Sequence, residues 1–179
     1  DRERAGDESI SVRTREDDQT MNARSLPWAL MSLSLLAAWL GAAIFVAAVI
    51  APAAFAVLPT RALAGAIVGR ILPVLFTLGI LLGGAVAFMN QSMGAGRWVT
   101  GGASLLAVAS AAALLVTIRA RMAVAAMGSP LDALDPADPR RIAFGRMHGL
   151  SVLLMGIGLL AACVALVVIA RHVNARSAA

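Results

Sequence analysis

Residues 71–118, ILPVLFTLGILLGGAVAFMNQSMGAGRWVTGGASLLAVASAAALLVTI, decide the fold. Two apolar runs without a single charged side chain flank one polar link, Asn90 to Arg97 (NQSMGAGR). A bilayer hydrocarbon core of ~30 Å takes about 20 apolar residues per helical crossing, and each run supplies that length. So short a link predicts two antiparallel neighbouring helices.

Upstream, the first of these two helices is predicted to begin at Arg61 and end at Met89, with Thr60 accepting from its first free amides. Pro73 lacks the amide that would bond back to Gly69, which predicts a kink. An earlier crossing runs from Pro27 to Ile50, with Trp28 at interfacial depth, and Pro52 and Pro59 are expected to break the chain after it. Ala54-Phe55-Ala56 mimics a signal-peptidase site. The apolar run before it is longer than the 7–15 residues of a signal sequence, so an uncleaved helix is expected.

Downstream, a third crossing is predicted over Trp98–Met127, stopped by Gly128. After the turn-rich segment GSPLDALDPAD, residues 128–138, Asp138 and Pro139 form a cap and first position for a fourth helix, Pro139–His172. The fold class expected is all-α: an integral membrane four-helix bundle over residues 26–172, with a polar N-terminal arm, residues 1–25, and a short polar tail, residues 173–179. The arm has almost no large apolar residue and cannot bury a core of its own. Met21 precedes a polar leader that suits a start site, so residues 1–20 read either as native chain or as an extension.

The composition excludes several classes. All 15 basic residues are arginine, and without lysine there is no Schiff-base chemistry. The arginines are scattered over loops and tails rather than gathered on a basic face with interleaved aromatics, so no nucleic-acid partner is expected; lipid headgroups fit them better. No Asp or Glu stands between Asp18 and Asp132 or after Asp138, which removes the intramembrane carboxylates of cation-coupled transport and the carboxylate pairs of acid–base enzymes. The acids of DALDPAD are expected to cap turns rather than bind calcium. Cys163 is alone and forms no intrachain disulfide.

Helices two and four carry the candidate functional residues. Arg70 stands in an apolar setting, AIVGRILP, beside Pro73. It is expected to snorkel to headgroups, and a position facing the bundle interior would instead point to anion handling. His148 has Ser151 and Met155 on the same helical face. The plain expectation for it is an interhelical hydrogen bond. The alternatives are a pigment or haem ligand, or a soft-metal site with Met147 and Met155. His172 lies about 36 Å along the same helix, too far to share a ligand, and is expected to complement the helix C-terminus. Ser104, Ser110 and Thr117 are expected to bond carbonyls one turn back. Small residues four apart (Gly65 and Gly69, Gly79 and Gly83, Ala107 and Ala111) predict close helix contacts, either within the chain or with another subunit.

Two stretches resemble the bacterial relatives of the transmembrane protein 205 family, a domain of unknown function. The first is WLGAAIFVAAVIAPAAFAVLPTRALAGAIVGRILPVLF, residues 39–76, through Gly41, Phe45, Pro52, Phe55, Leu58, Pro59, Ala64, Gly65 and Gly69. The second is FGRMHGLSVLLMGIGLL, residues 144–160, through Phe144, Arg146, His148 and Ser151. Met147 stands where the family usually has leucine, and Met155 where many relatives carry asparagine. The resemblance implies a four-helix membrane bundle and no settled activity.

The expected function is therefore non-enzymatic, an accessory or structural subunit of a larger energy-converting or photosynthetic membrane complex, acting through helix contacts with other subunits or with itself. The alternative is a small permease or efflux-related protein with Arg70, Pro73 and His148 on its path. The expected location is a bacterial inner membrane. By the positive-inside rule both termini are placed outside the cytoplasm, because the connection over residues 118–146 concentrates arginines at helix ends.

Overall fold

The computed structural model describes residues 25–128 and 131–177. Four helices account for nearly all of them: Ser25–Val57 (α1), Arg61–Met93 (α2), Arg97–Ala126 (α3) and Pro139–Ser177 (α4). Even α3, with 30 residues, is about 45 Å long at 1.5 Å per residue, beyond the ~30 Å of hydrocarbon to be crossed. Their outer faces expose large apolar side chains, with Val57, Phe88 and Leu160 at 80%, 71% and 70%. Such contiguous apolar surface belongs in lipid. The chain is a multi-pass, all-α membrane bundle.

The element boundaries follow local chemistry. Pro52 does not break α1. Val46–Ile50 form a π turn in which the Ala51 amide bonds the Val46 carbonyl, and α-helix resumes through Val57. A proline ring collides with the carbonyl four residues before it in an α-helix, and a wider turn just ahead of Pro52 absorbs that conflict. The break comes only at Pro59, before which Leu58 is extended, the conformation a following proline favours.

The link from α2 to α3 is shorter than the sequence predicts, because α2 continues to Met93. Asn90 organises it: its side-chain oxygen accepts from the Ala95 amide at 3.2 Å, and its side-chain nitrogen donates to the Gly96 carbonyl and the Thr100 hydroxyl at 3.0 and 2.8 Å. Gly94 and Gly96 take the left-handed backbone that such a reversal requires.

Thr60 caps α2 as expected, its hydroxyl accepting from the Leu63 amide at 3.2 Å. Asp138 caps α4, accepting from the Arg140 amide and pairing with the Arg140 guanidinium, each at 2.8 Å. In this exposed loop those bonds hold the Asp138 carboxyl below the usual carboxylate range: the Arg140 side chain contributes most, then its amide.

The expected tail is not a tail. α4 runs on to Ser177, and Arg176 donates to the Ser25 hydroxyl and, at 3.4 Å, to the Met93 carbonyl, tying the ends of α1, α2 and α4 together. His172 therefore sits inside the helix rather than at its C-terminus, and its Nε2 is buried without a hydrogen-bond partner. The expected N-terminal arm lies outside the described residues except for Ser25, which opens α1; residues 178–179 lie outside them too.

The core is built around α1. Ala29, Ser32, Leu36, Trp39, Ala43 and Val46 are buried at three- and four-residue intervals. Trp39 donates to the Leu75 carbonyl at 3.0 Å, and its ring lies against Gly79 and Gly158. Gly79 and Gly83 serve the close approach predicted for them. A Cβ at Gly79 would collide with Ser110, and one at Gly83 would lie 2.5 Å from the Ala103 carbonyl oxygen and 2.8 Å from the Ala107 nitrogen. Gly65 and Gly69 make no such approach within the chain, since nothing described lies within 4 Å of where their Cβ would be.

Candidate functional site

The register of α1 explains the open space beside Gly65 and Gly69. Its run of buried residues ends at Val46, where the π turn begins, and no residue of Ala51–Val57 is buried. Over its first two thirds α1 fills the bundle; beyond the π turn it packs less deeply, with Ala51 and Ala54 half-buried against the core. A cavity of about 630 Å³ lies at that end, walled by α2, α3 and α4, with Phe55 of α1 at its side.

Each wall is set by helical spacing. From α2 come Arg61, Gly65, Gly69 and Arg70, with Val68 and Leu72 beneath. From α3 come Thr117, Arg121 and Val124, at i, i+4 and i+7. From α4 come Arg141, Phe144, His148 and Ser151, again one face of a helix. Four arginines thus line one cavity, and among the described residues no aspartate or glutamate lines it. Arg61, Arg70 and Arg121 make no hydrogen bond or ion pair with any described residue, whereas Arg141 donates to the Leu134 carbonyl at 2.9 Å. Guanidinium charges around one cavity with no counter-charge among the described residues repel one another, so an anion is the partner this geometry favours.

The hydroxyls differ. Ser151 is buried and donates to the His148 carbonyl at 2.8 Å, one turn back. Thr117 is 8% exposed, and its hydroxyl has no partner. The expectation that Thr117 bonds a carbonyl in its own helix is therefore not met. Thr77 makes such a bond instead, to the Pro73 carbonyl at 2.8 Å. A buried hydroxyl left unpaired costs free energy, and here it belongs to a residue that lines the cavity.

Of the residues singled out in the sequence, Arg70, His148, Ser151, Gly65 and Gly69 come together at this cavity, while Gly79 and Gly83 lie in the α2–α3 seam. Pro73 lies inside an unbroken α2 and outside the cavity wall. Arg70 lines the cavity but is exposed rather than turned into the bundle interior. Among the described residues His148 has no interhelical hydrogen-bond partner: its exposed imidazole stacks on Phe144, with centroids 6.3 Å apart and planes 7° from parallel. The soft-metal grouping does not form either, because neither Met147 nor Met155 lines the cavity and Met155 packs against the core. Among the described residues no three His, Cys, Asp or Glu side chains come together as metal ligands would.

Sequence reasoning missed Arg61, Arg121, Arg141 and Thr117 as partners of Arg70. Their one legible signal was that all three arginines stand near helix ends on the same side of the bundle as the 118–146 connection.

Residues 34–129 match the family profile described as a domain of unknown function, DUF4149, and this covers more than half of the chain. The chain belongs to that family. The DUF4149 segment runs from within α1 through α3, so it includes the π turn, Pro52, Arg61, Arg70, Thr117 and Arg121, while the α4 wall with His148 lies beyond it. No curated protein and no solved structure matches the chain.

Proposed function

We propose that this DUF4149 protein is a non-enzymatic membrane component that holds an anionic group in the arginine-lined vestibule at one face of the bilayer. The observation that carries the reading is the meeting of Arg61, Arg70, Arg121 and Arg141 from three helices at one cavity, lined by no carboxylate among the described residues. Past the vestibule the bundle is plugged by Trp39, Phe76 and Leu106, each at most 3% exposed, which supports binding rather than conduction by a single chain. A permease would need a path through that plug.

The setting proposed is a bacterial inner membrane with the vestibule facing the cytoplasm and both termini outside. Arg61, Arg70, Arg119, Arg121, Arg140, Arg141 and Arg146 all belong to the vestibule end, in keeping with the positive-inside rule. Kinship to the bacterial transmembrane protein 205 group belongs to the same proposal, resting on the residue matches in α1, α2 and α4.

A role as an accessory subunit of a larger complex, or in a self-associated form, is supported by α4. Gly145 and Gly149 are four apart with nothing within 4 Å of either, a surface on which another helix could close. Pigment or haem ligation would use the free imidazole of His148, and the visible absorption of the purified chain distinguishes it.

Thermal unfolding in a neutral detergent tests the anion reading. Sulfate in place of chloride at constant ionic strength raises Tm by about 5–10 °C at roughly 100 times its Kd, the expected linkage for a chain of this size. The Arg70→Gln/Arg121→Gln double variant shows only the general salting effect. Equal rises in both proteins contradict the reading.

A further inference from the structure

We propose that the group held in the vestibule is a phosphoryl group, an assignment that rests on the anion reading above and narrows it. Three features lead there.

The first is donor geometry. Arg61 and Arg70 on α2 and Arg121 on α3 are unengaged by any described residue, and Arg141 on α4 has donors left after its bond to Leu134. One guanidinium fork satisfies both oxygens of a carboxylate, and a halide offers a single point. A terminal phosphoryl group presents three oxygens in different directions, so guanidinium groups from separate helices can reach it together.

The second is Thr117. The residue is more than nine-tenths buried on the same wall, its hydroxyl is unpartnered, and a turn about χ1 would present it as one further donor to a phosphoryl oxygen. The third is size and lining. A cavity of about 630 Å³ far exceeds one phosphoryl group, and Phe55, Val68, Leu72, Val124 and Phe144 give the remainder an apolar wall. The ligand can therefore be a phosphate carried on an apolar chain, a lipid headgroup at its natural depth, or free phosphate.

The test titrates the full chain, delipidated in neutral detergent, with dioleoyl phosphatidic acid, inorganic phosphate or oleate, and counts bound ligand by native mass spectrometry. The expected result is one saturable equivalent of a phosphoryl ligand per chain. Its affinity falls at least about 10-fold in Arg70→Gln/Arg121→Gln and about 3-fold in Thr117→Val. Arg97→Gln at the opposite end, where the guanidinium lies over Trp98, leaves it unchanged. Arg70 and Arg121 are exposed and make no described contact, so the double variant keeps its fold.

Saturable binding of phosphatidic acid alone identifies a lipid source. One equivalent of inorganic phosphate with the same dependence on the arginines identifies free phosphate, and both outcomes support the phosphoryl site. Oleate binding as tightly as the better phosphoryl ligand overturns it and leaves the anion reading standing. Absence of saturable binding by all three, or binding unchanged in the double arginine variant, overturns both.

Discussion

Gly83→Leu unfolds the bundle, whereas Gly69→Leu, the same change about four turns earlier on the same helix α2, leaves it folded. At Gly83 a Cβ would lie 2.5 Å from the Ala103 carbonyl oxygen and 2.8 Å from the Ala107 nitrogen, both backbone atoms of α3 that no rotamer change can move. Relief requires separating α2 from α3 along the seam. Overpacking of a core typically costs 1–3 kcal/mol, and with backbone on the far side the upper end, about 3 kcal/mol, is expected. In lipid the loss is felt fully, because helices there associate through packing and not through a hydrophobic drive. At Gly69 nothing lies within 4 Å, so a leucine enters the vestibule at little cost to stability and fills part of it. Unfolding in mixed micelles, followed by circular dichroism, separates the two variants.

Trp39→Ala has the second largest effect. The indole is 3% exposed, fits against Gly79 and Gly158, and donates to the Leu75 carbonyl. Truncating a buried tryptophan in a soluble core costs about 3–5 kcal/mol. Part of that is transfer from water, which a membrane helix does not regain, so about 2–3 kcal/mol is expected here from lost packing. Trp39→Phe removes the hydrogen bond, which in membrane proteins averages about 0.6 kcal/mol, together with part of the ring's packing. The same unfolding measurement is expected to place Trp39→Phe much nearer the parent than Trp39→Ala.

The bundle was legible because its signals are local and redundant. Apolar runs of membrane length, Thr60, the Asp138-Pro139 pair and Gly128 each act within one or two turns, and the structure uses all of them. What escaped was the behaviour of Pro52. A proline after a long apolar run reads as a break, but the alternative, a π turn one residue ahead, leaves no mark of its own in the sequence. That local choice comes where the fully buried face of α1 ends, at Val46.

The site was half legible for a related reason. Arg70 and His148 stood out as ionisable groups in apolar surroundings. Arg61, Arg121 and Arg141 read as ordinary helix-end charges, because only the tertiary arrangement shows that they line one cavity. Small-residue spacing was ambiguous in the same way: Gly79–Gly83 and Gly65–Gly69 share a pattern, yet one pair is closed by α3 and the other faces open space.

The central claim, an open and positively charged vestibule beside Gly69, is tested most directly by thiol accessibility of a Gly69→Cys variant in a Cys163→Ala background, reconstituted in lipid. Nearby guanidinium charges raise the thiolate fraction and attract anions, so a sulfonate-bearing methanethiosulfonate is expected to react about 10-fold faster than its trimethylammonium counterpart. Added salt should narrow that ratio. A thiol that neither reagent reaches, or that the cationic reagent modifies faster, would contradict the account.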